Sequence, residues 1–165
     1  MKPYSEYAFE TAIERHLTTA GGYEKGDRDG FDPVRALSPG DVIAFIQKTQ
    51  PKEWEYLSNL QKDKAEDTLL DDLCRALNSD HEGCLSVLRH GFKCFGKLFR
   101  VAYFAPASGM NPDTQKLYAA NRLTVTRQLC YSAKHGNTLD VTLALNGIPV
   151  STLELKNPMT AQTWR

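Results

Sequence analysis

Apolar residues recur every three or four positions through much of the first half of the chain. The clearest pattern runs from Ala65 to Leu77 and predicts a helix that ends near Asn78. The same period, at lower contrast, predicts four more helices. The first begins at Ser5, a candidate N-cap, and ends at Gly21-Gly22, and the second spans about 41–49. The third starts at Pro51, and the fourth runs from Leu85 to Gly91.

The second half of the chain has the composition of strands. The run LFRVAYF at 98–104 is aromatic and β-branched and predicts a strand. A loop and a short helix near 113–120 follow, and three more strands are predicted at about 123–131, 138–145 and 148–156. Residues 23–38 read as a loop rich in Gly, Asp and Pro.

This order of elements predicts an α/β (α+β) fold, with N-terminal helices followed by a mixed, largely antiparallel sheet. Since 165 residues suit one domain, we expect a single domain over residues 1–165. Residues 1–92 would form its mainly helical part, and residues 93–165 would carry the sheet.

The last two predicted strands form a hairpin whose register decides where their acids lie. A two-residue Asn146-Gly147 turn pairs Leu145 with Ile148 and sets Asp140 opposite Leu153. Acid and apolar residues would then share one face, at a cost in burial. This turn alone therefore fits the hydrophobic pattern poorly.

A three-residue loop at 145–147, with its glycine left-handed, places Asp140 opposite Thr152. Glu154 then becomes a diagonal neighbour of Asp140 on the same face. We therefore predict this loop or an equivalent bulge, because it gathers the apolar residues on the other face: Leu139, Val141, Leu143, Leu153 and Leu155.

Two carboxylates and a lysine would thus meet on one face of the hairpin. Asp140 and Glu154 would repel each other unless a cation lay between them, and carboxylate oxygens are ligands that Mg²⁺ prefers. Lys156 points the same way as Glu154 and could orient water or stabilise a charged transition state. The alternative is a solvated polar face on which Glu154 and Lys156 merely touch.

Charge is balanced overall but uneven along the chain. The formal net charge is zero, yet residues 83–139 hold one acid, Asp113, and eight bases. Such a local excess would attract a polyanion such as DNA. Alternatively, these bases belong to a solvated surface that the acidic first half balances in three dimensions.

Cysteine usage and hydropathy indicate a cytoplasmic protein that does not enter a membrane. The four cysteines lie far apart without a C-x-x-C pair, which argues against a zinc site and fits reduced thiols buried as small core residues. No apolar run approaches the ~20 residues of a membrane helix. The first residues, MKPYSEYAFE, contain no apolar segment of a secretory signal.

Asp140 followed by Glu154-Leu155-Lys156 matches the PD-(D/E)xK nuclease pattern, with Leu139 where the proline of that name would stand. The match extends well beyond this short signature. The runs NRLTVTRQLCY at 121–131 and LDVTLALNGIPVSTLELKNP at 139–158 resemble the R subunits of type I restriction–modification enzymes. Weaker resemblance covers FETAIERHL at 9–17, VLRHGF at 87–92 and LFRVAYFAP at 98–106.

The resemblance implies a restriction-endonuclease-like core and a metal-dependent DNA endonuclease. Asp140 and Glu154 would bind Mg²⁺, with the Leu155 backbone carbonyl as a further ligand, and Lys156 would be the catalytic lysine. Glu10 falls where related nucleases place an extra acid near the metal; the alternative for it is an exposed helix acid.

Three polar residues of the 121–131 run are candidates for contacts with DNA phosphates: Arg122, Arg127 and Gln128. The alternative for each is a salt bridge or a polar position at a sheet edge. A non-catalytic DNA-binding or subunit-docking module also remains open. Another nuclease of the superfamily, such as a repair enzyme, fits the 121–158 block less well.

The resemblance also implies parts that this chain lacks. The family's Q-x-x-x-Y motif would lie beyond Arg165, and Gln162 is not assigned to it. No G-x-x-x-x-G-K-[ST] phosphate loop is present, so ATP would bind only in translocase domains outside this chain. We therefore expect a C-terminally truncated segment of a bacterial or archaeal R subunit. Its partners would be double-stranded DNA and the specificity and modification subunits.

Overall fold

Helices and a small number of strands make up the part of the chain that the computed structural model describes, residues 6–80 and 83–156. The helices are α1 (Glu6–Thr19), α2 (Pro39–Thr49), α3 (Pro51–Gln61), α4 (Ala65–Leu77), α5 (Gly83–His90) and α6 (Pro112–Ala119). The strands are β1 (Glu24–Lys25), β2 (Phe92–Cys94), β3 (Lys97–Phe99), β4 (Leu123–Cys130), β5 (Thr138–Leu145) and β6 (Ile148–Leu153). The predicted α+β class is confirmed, and the candidate N-cap Ser5 lies outside the described residues.

The chain divides into two compact units. The first unit consists of Met1–Leu37 and Arg122–Arg165, and the second consists of Ser38–Asn121. The first unit contains a four-stranded sheet in the order β1-β4-β5-β6, in which β1 is parallel to β4 and the other pairs are antiparallel. This is the mixed, largely antiparallel sheet that the sequence predicts, with the short strand β1 added inside the predicted loop 23–38.

The two central strands of this sheet are buried on both faces. Val125 and Val141 are fully buried on one face, as the alternating pattern predicts. Thr126 and Thr142, which pair with each other, are buried on the opposite face. A sheet covered on both sides restricts the positions of side chains at its ends, where the candidate residues lie.

Helix α1 packs against β4 with a face that the sequence analysis did not predict. The apolar residues at helical spacing on α1 are Phe9, Ile13 and Leu17, but Phe9 is exposed and the other two are only half-buried. The buried residue of α1 is Glu10, 3% exposed, so its interpretation as an exposed acid is wrong. Glu10 is inward because β4 presents Arg127 and Gln128 to it.

The β5–β6 hairpin closes with the two-residue turn, so the predicted three-residue loop is wrong. Leu145 pairs with Ile148, and Asn146 and Gly147 have φ of 51° and 85°. Two left-handed residues are typical of a type I′ turn, which matches the twist of the strands. Asn146 is held there because its side-chain oxygen accepts from the Arg122 amide at 2.7 Å.

A bulge then corrects the register beyond the turn. Ala144 pairs with Pro149, but Leu143 pairs with Ser151, so Val150 is the extra residue on β6. Thr142 consequently faces Thr152, which contradicts the predicted pairing of Thr152 with Asp140. The expected bulge and the expected separation of polar from apolar residues are nevertheless confirmed.

The second unit buries an apolar core between its helices and the hairpin β2–β3. Fully buried side chains include Ile46, Leu57, Leu69, Leu73, Val87, Phe92 and Phe99. Helix α4 ends at Leu77, as the sequence predicts. The strand predicted at 98–104 is wrong beyond residue 99, and its partner β2 was not predicted.

Side-chain amides replace the strand ladder in the segment after β3. Gln50 accepts from the Arg100 amide at 2.7 Å and donates to the Arg100 carbonyl at 2.8 Å. Asn121 likewise contacts both backbone groups of Tyr103. The backbone groups of Arg100 and Tyr103 are thus satisfied by side chains and not by a neighbouring strand.

The cysteines are free thiols in different environments. Cys94 is fully buried, and its burial, together with a hydrogen bond to Asp72, raises the pKa of the thiol to about 12. Cys84 and Cys130 are exposed, so the expectation that every cysteine is a core residue is wrong.

No helix in the described ranges is long and apolar enough to span a membrane.

Candidate functional site

Asp140 lies near the start of β5, where hydrogen bonds hold both of its carboxylate oxygens. Its Oδ2 accepts from the Leu155 amide at 2.6 Å, and its Oδ1 accepts from the Gln128 side-chain nitrogen at 3.4 Å. The first bond comes from the segment after β6 and the second from β4. Asp140 therefore joins the strands on either side of it.

Glu154 and Lys156 follow β6 directly, because that strand ends at Leu153 and not at the predicted residue 156. Thr142 faces Thr152 and Val141 faces Leu153, and one further step of this register places Asp140 opposite Glu154. The Lys156 Nζ lies 3.9 Å from the Glu154 Oε2, and both side chains are about half-exposed. A contact this long between exposed groups contributes about 0–1 kcal/mol, so it fixes neither side chain.

A buried ionic cluster joins α1 to β4. Arg127 contacts Glu10 Oε2 through Nε and Nη2, both at 3.1 Å, and contacts Glu14 Oε2 through Nη1 at 3.2 Å. The Tyr7 ring lies 4.6 Å from the guanidinium carbon of Arg127. Burial by itself would lower the pKa of Arg127, but hydrogen bonds to Glu14, Glu10 and Tyr7 outweigh it and raise the pKa.

Gln128 connects this cluster to Asp140. Its Nε2 donates to Glu10 Oε1 at 2.9 Å as well as to Asp140 Oδ1, and its Oε1 accepts from the Thr138 hydroxyl at 2.8 Å. Gln128 has a φ of 50°, which is uncommon for a residue other than glycine. The structure therefore brings Glu10 and Asp140 to the same amide nitrogen.

Arg122 lies at the other end of β4 and contacts Glu24 at 2.7 Å. The salt bridges that the sequence analysis kept open for Arg122 and Arg127 are thus present, whereas their contacts with DNA stay a prediction. Arg127 is mostly buried, while Arg122 is 40% exposed and more accessible to a ligand.

A polar cleft of about 400 Å³ opens beside the buried cluster in the first unit. A Cβ on Gly26 would stand 2.1 Å from the Thr126 hydroxyl, so the close approach of β1 to β4 requires glycine there. The cleft is lined by three acids, three bases and four uncharged residues: Tyr7, Glu14, Lys25, Gly26, Asp27, Arg28, Asp29, Thr126, Arg127 and Gln128.

Comparison with known families identifies the family of the chain. A family model described as the type I restriction enzyme R protein N terminus matches residues 3–165. The chain belongs to this family. The resemblance that is strongest over 121–158 thus extends over nearly the whole sequence, and the expected family is confirmed. No curated protein and no solved structure matches the chain.

The donor atoms of this R-protein N terminus are compatible with a bound Mg²⁺. Mg²⁺ keeps several waters and is held by one or two carboxylates, and Asp140 on β5 and Glu154 just after β6 would offer two. Among the described residues, no three His, Cys, Asp or Glu side chains lie close enough to form a complete metal cage.

Three residues around this site were not predicted from the sequence: Tyr7, Glu14 and Thr138. Glu14 follows Glu10 by four positions, and residues so spaced lie on one helix face. That spacing could have identified both acids as one set facing a cation. No local signal marks Thr138, because its role depends on where Gln128 lies.

Proposed function

We propose that the chain is the metal-dependent endonuclease domain of a type I restriction enzyme R subunit and hydrolyses phosphodiester bonds of foreign DNA. The observation that carries this proposal is the hairpin register: Val141 pairs with Leu153, Asp140 and Glu154 are the next residues along the two chain segments, and Lys156 follows Glu154 by two positions. The hydrogen bond from the Leu155 amide to Asp140 supports the same arrangement. Membership in the restriction enzyme family supplies the substrate class.

In this proposal, Asp140, Glu154 and the Leu155 carbonyl hold Mg²⁺, and Glu10, which Arg127 pairs, is the extra acid near the metal. The ion, when bound, lowers the pKa of water and neutralises charge on the phosphate. Lys156 is only loosely paired with Glu154, so its ammonium group can turn to orient the attacking water or the reacting phosphate. Arg122, Arg127 and Gln128 are the proposed contacts to the DNA backbone.

The wider setting follows from the R-subunit family. We propose that the domain acts in the cytoplasm of a bacterium or archaeon, together with specificity and modification subunits. ATP-driven translocation would be the work of other domains of the subunit. Recognition of a DNA sequence would belong to the specificity subunit, so this domain needs no base-reading element.

A second function is favoured by one observation, the exposure and looseness of the Glu154–Lys156 pair. Such pairs are common on ordinary protein surfaces, where they have no chemical role. The chain would then be a DNA-binding or subunit-docking module with an unused acidic face. A docking module would bind its protein partner equally well after Asp140→Ala.

Calorimetric titration with Mn²⁺ separates the two functions. The wild-type chain and the Asp113→Ala control, which removes an exposed acid on α6, should bind Mn²⁺ equally, whereas Asp140→Ala should abolish binding. Lys156→Ala should keep Mn²⁺ binding but lose Mg²⁺-dependent plasmid cleavage, by roughly a hundredfold or more for a group that acts in the transition state. Equal Mn²⁺ binding by wild type and Asp140→Ala would contradict the nuclease proposal.

A further inference from the structure

Gln128 has a backbone conformation that strand β4 alone does not explain. Its neighbours Arg127 and Leu129 pair with Val141 and Leu139 in the regular antiparallel register, yet Gln128 between them has a φ of 50°. A left-handed residue that is not glycine is strained and persists only where its surroundings hold it. Here the result is that two consecutive residues, Arg127 and Gln128, both reach Glu10 on α1.

The orientation of the Gln128 amide is fixed by its three partners. Its oxygen accepts from the Thr138 hydroxyl at 2.8 Å, so its nitrogen is turned toward the acids. An amide nitrogen has two hydrogens, and two carboxylate oxygens lie within reach, Glu10 Oε1 at 2.9 Å and Asp140 Oδ1 at 3.4 Å. Each acid can therefore receive one hydrogen.

An uncharged hydrogen-bond donor between Glu10 and Asp140 has a specific advantage. Arg127 already pairs with Glu10, and a lysine or arginine in the place of Gln128 would also cancel the charge of Asp140 that attracts a cation. The amide of Gln128 holds both acids without adding positive charge. The other oxygen of Asp140 is held by the Leu155 amide at 2.6 Å, so the carboxylate is oriented from both sides.

We propose that Gln128 is a positioning residue for the metal site: it binds the Asp140 carboxylate and connects it to Glu10. These contacts fix the direction in which the carboxylate oxygens of Asp140 face a divalent cation. This rests on the proposed function, since it assumes that Asp140 is a metal ligand. It also assigns Gln128 a role different from contact with DNA phosphates. Partners of metal ligands tune affinity because they fix the orientation of the ligand.

The test is Mn²⁺ affinity in Gln128→Gly. Glycine adopts a φ near +50° without strain, so this variant loses the amide while the backbone is preserved. We expect Mn²⁺ to bind about 10-fold more weakly or worse, the usual effect of removing such a partner. The melting temperature should fall modestly, because the buried Glu10 loses one hydrogen bond, whereas the loss of Mn²⁺ affinity is the effect that a purely structural role would not predict.

Lys62→Gly is the matched control, because Lys62 has the same φ of 50° and lies in the second unit. It introduces the same glycine at the same backbone geometry and should leave Mn²⁺ affinity unchanged. Thr138→Val is a second, milder variant that removes only the hydroxyl that orients the Gln128 amide. It should weaken Mn²⁺ binding in the same direction but by less than Gln128→Gly.

Asp140→Ala distinguishes this inference from the proposed function. If Asp140→Ala abolishes binding while Gln128→Gly and Thr138→Val bind like wild type, the positioning role is wrong and the metal site stands. If Asp140→Ala binds like wild type, or the wild type does not bind Mn²⁺, both proposals fail. Equal weakening in Gln128→Gly and Lys62→Gly would also overturn the positioning role.

Discussion

At the scale of single residues, the central feature is a charge cluster that α1 buries in place of an apolar stripe. Glu10 lies against Arg127, a residue that follows it by more than a hundred positions. A helical period can show which residues share a face, but it does not show which face is inward when the opposite strand presents a cation. For this reason the sequence predicted helix α1 correctly and the environment of Glu10 only as an open alternative.

Arg127→Met should be strongly destabilising, because it leaves Glu10 and Glu14 without their shared cation. Removing one partner of a buried ion pair costs about 3–5 kcal/mol in the free energy of unfolding. Urea denaturation at neutral pH measures this loss. Arg122→Met is the matched control just before the same strand: its salt bridge to Glu24 is largely exposed and should contribute at most about 1 kcal/mol. Equal losses in the two variants would contradict the burial argument.

Asp32 provides a pH-dependent contribution to stability. Burial by itself raises the pKa of Asp32, but backbone hydrogen bonds from Arg35 and Val34 and the charge of Arg35 together lower it below its ordinary 3.8. A lowered pKa in the folded state stabilises the protein above the unfolded value of about 3.9, and this contribution disappears as pH falls through the folded value.

Asp32→Asn should therefore unfold at lower urea concentration than the wild type at pH 7, with a loss of about 1 kcal/mol, the difference between a charged and a neutral acceptor. The gap should close once the pH falls below the lowered pKa of Asp32. A gap that persists unchanged in acid would mean that shape, not charge, gives Asp32 its effect.

At the scale of elements, the β5–β6 hairpin shows how far a hydrophobic pattern determines register. Because acids and apolar residues alternate along both strands, only registers that keep them on separate faces are acceptable, and the structure has such a register. The pattern does not indicate which residue forms the bulge that corrects the pairing of the two strands. In the two-residue turn Asn146 accepts from the Arg122 amide, and the extra residue is Val150 and not part of the loop.

Deleting Val150 tests this account of the bulge. Leu143 and Ser151 are already partners, so removing the unpaired residue between Pro149 and Ser151 should give a regular ladder with unchanged pairing further along. Asp140 should still lie opposite Glu154, and Mn²⁺ affinity should match the wild type. Loss of Mn²⁺ binding with the fold intact would mean that the bulge itself orients Glu154.

At the scale of the whole molecule, uneven charge along the sequence does not become an equally uneven surface. The basic segment 83–139 is divided between the two units. Several of its bases contact acids: Arg122 contacts Glu24, Arg127 contacts Glu10, and Lys116 contacts Asp113. The sequence could not show this, because two of these three acids belong to the distant, acidic first half. Counts of charge by segment therefore overstate the attraction of the chain for a polyanion.

Duplex DNA should nevertheless bind if the proposed function is right, and it should bind without sequence preference. Each phosphate that the protein neutralises contributes a slope of about −0.9 to the plot of log affinity against log salt concentration. Fluorescence anisotropy on two unrelated duplexes should give equal affinities and equal slopes. Arg122→Gln should weaken binding to both duplexes alike and reduce the slope by about one, as expected for one lost phosphate contact.

Arg75→Gln, which removes a base on α4 that pairs with Asp72, should leave affinity and slope unchanged. The comparison matters because a general loss of positive charge would affect both variants, whereas a contact made by Arg122 affects only one. If neither duplex binds, or if affinity does not respond to salt, the sheet does not face DNA. The docking module would then be the better account, because a surface that meets a protein partner need not neutralise phosphates.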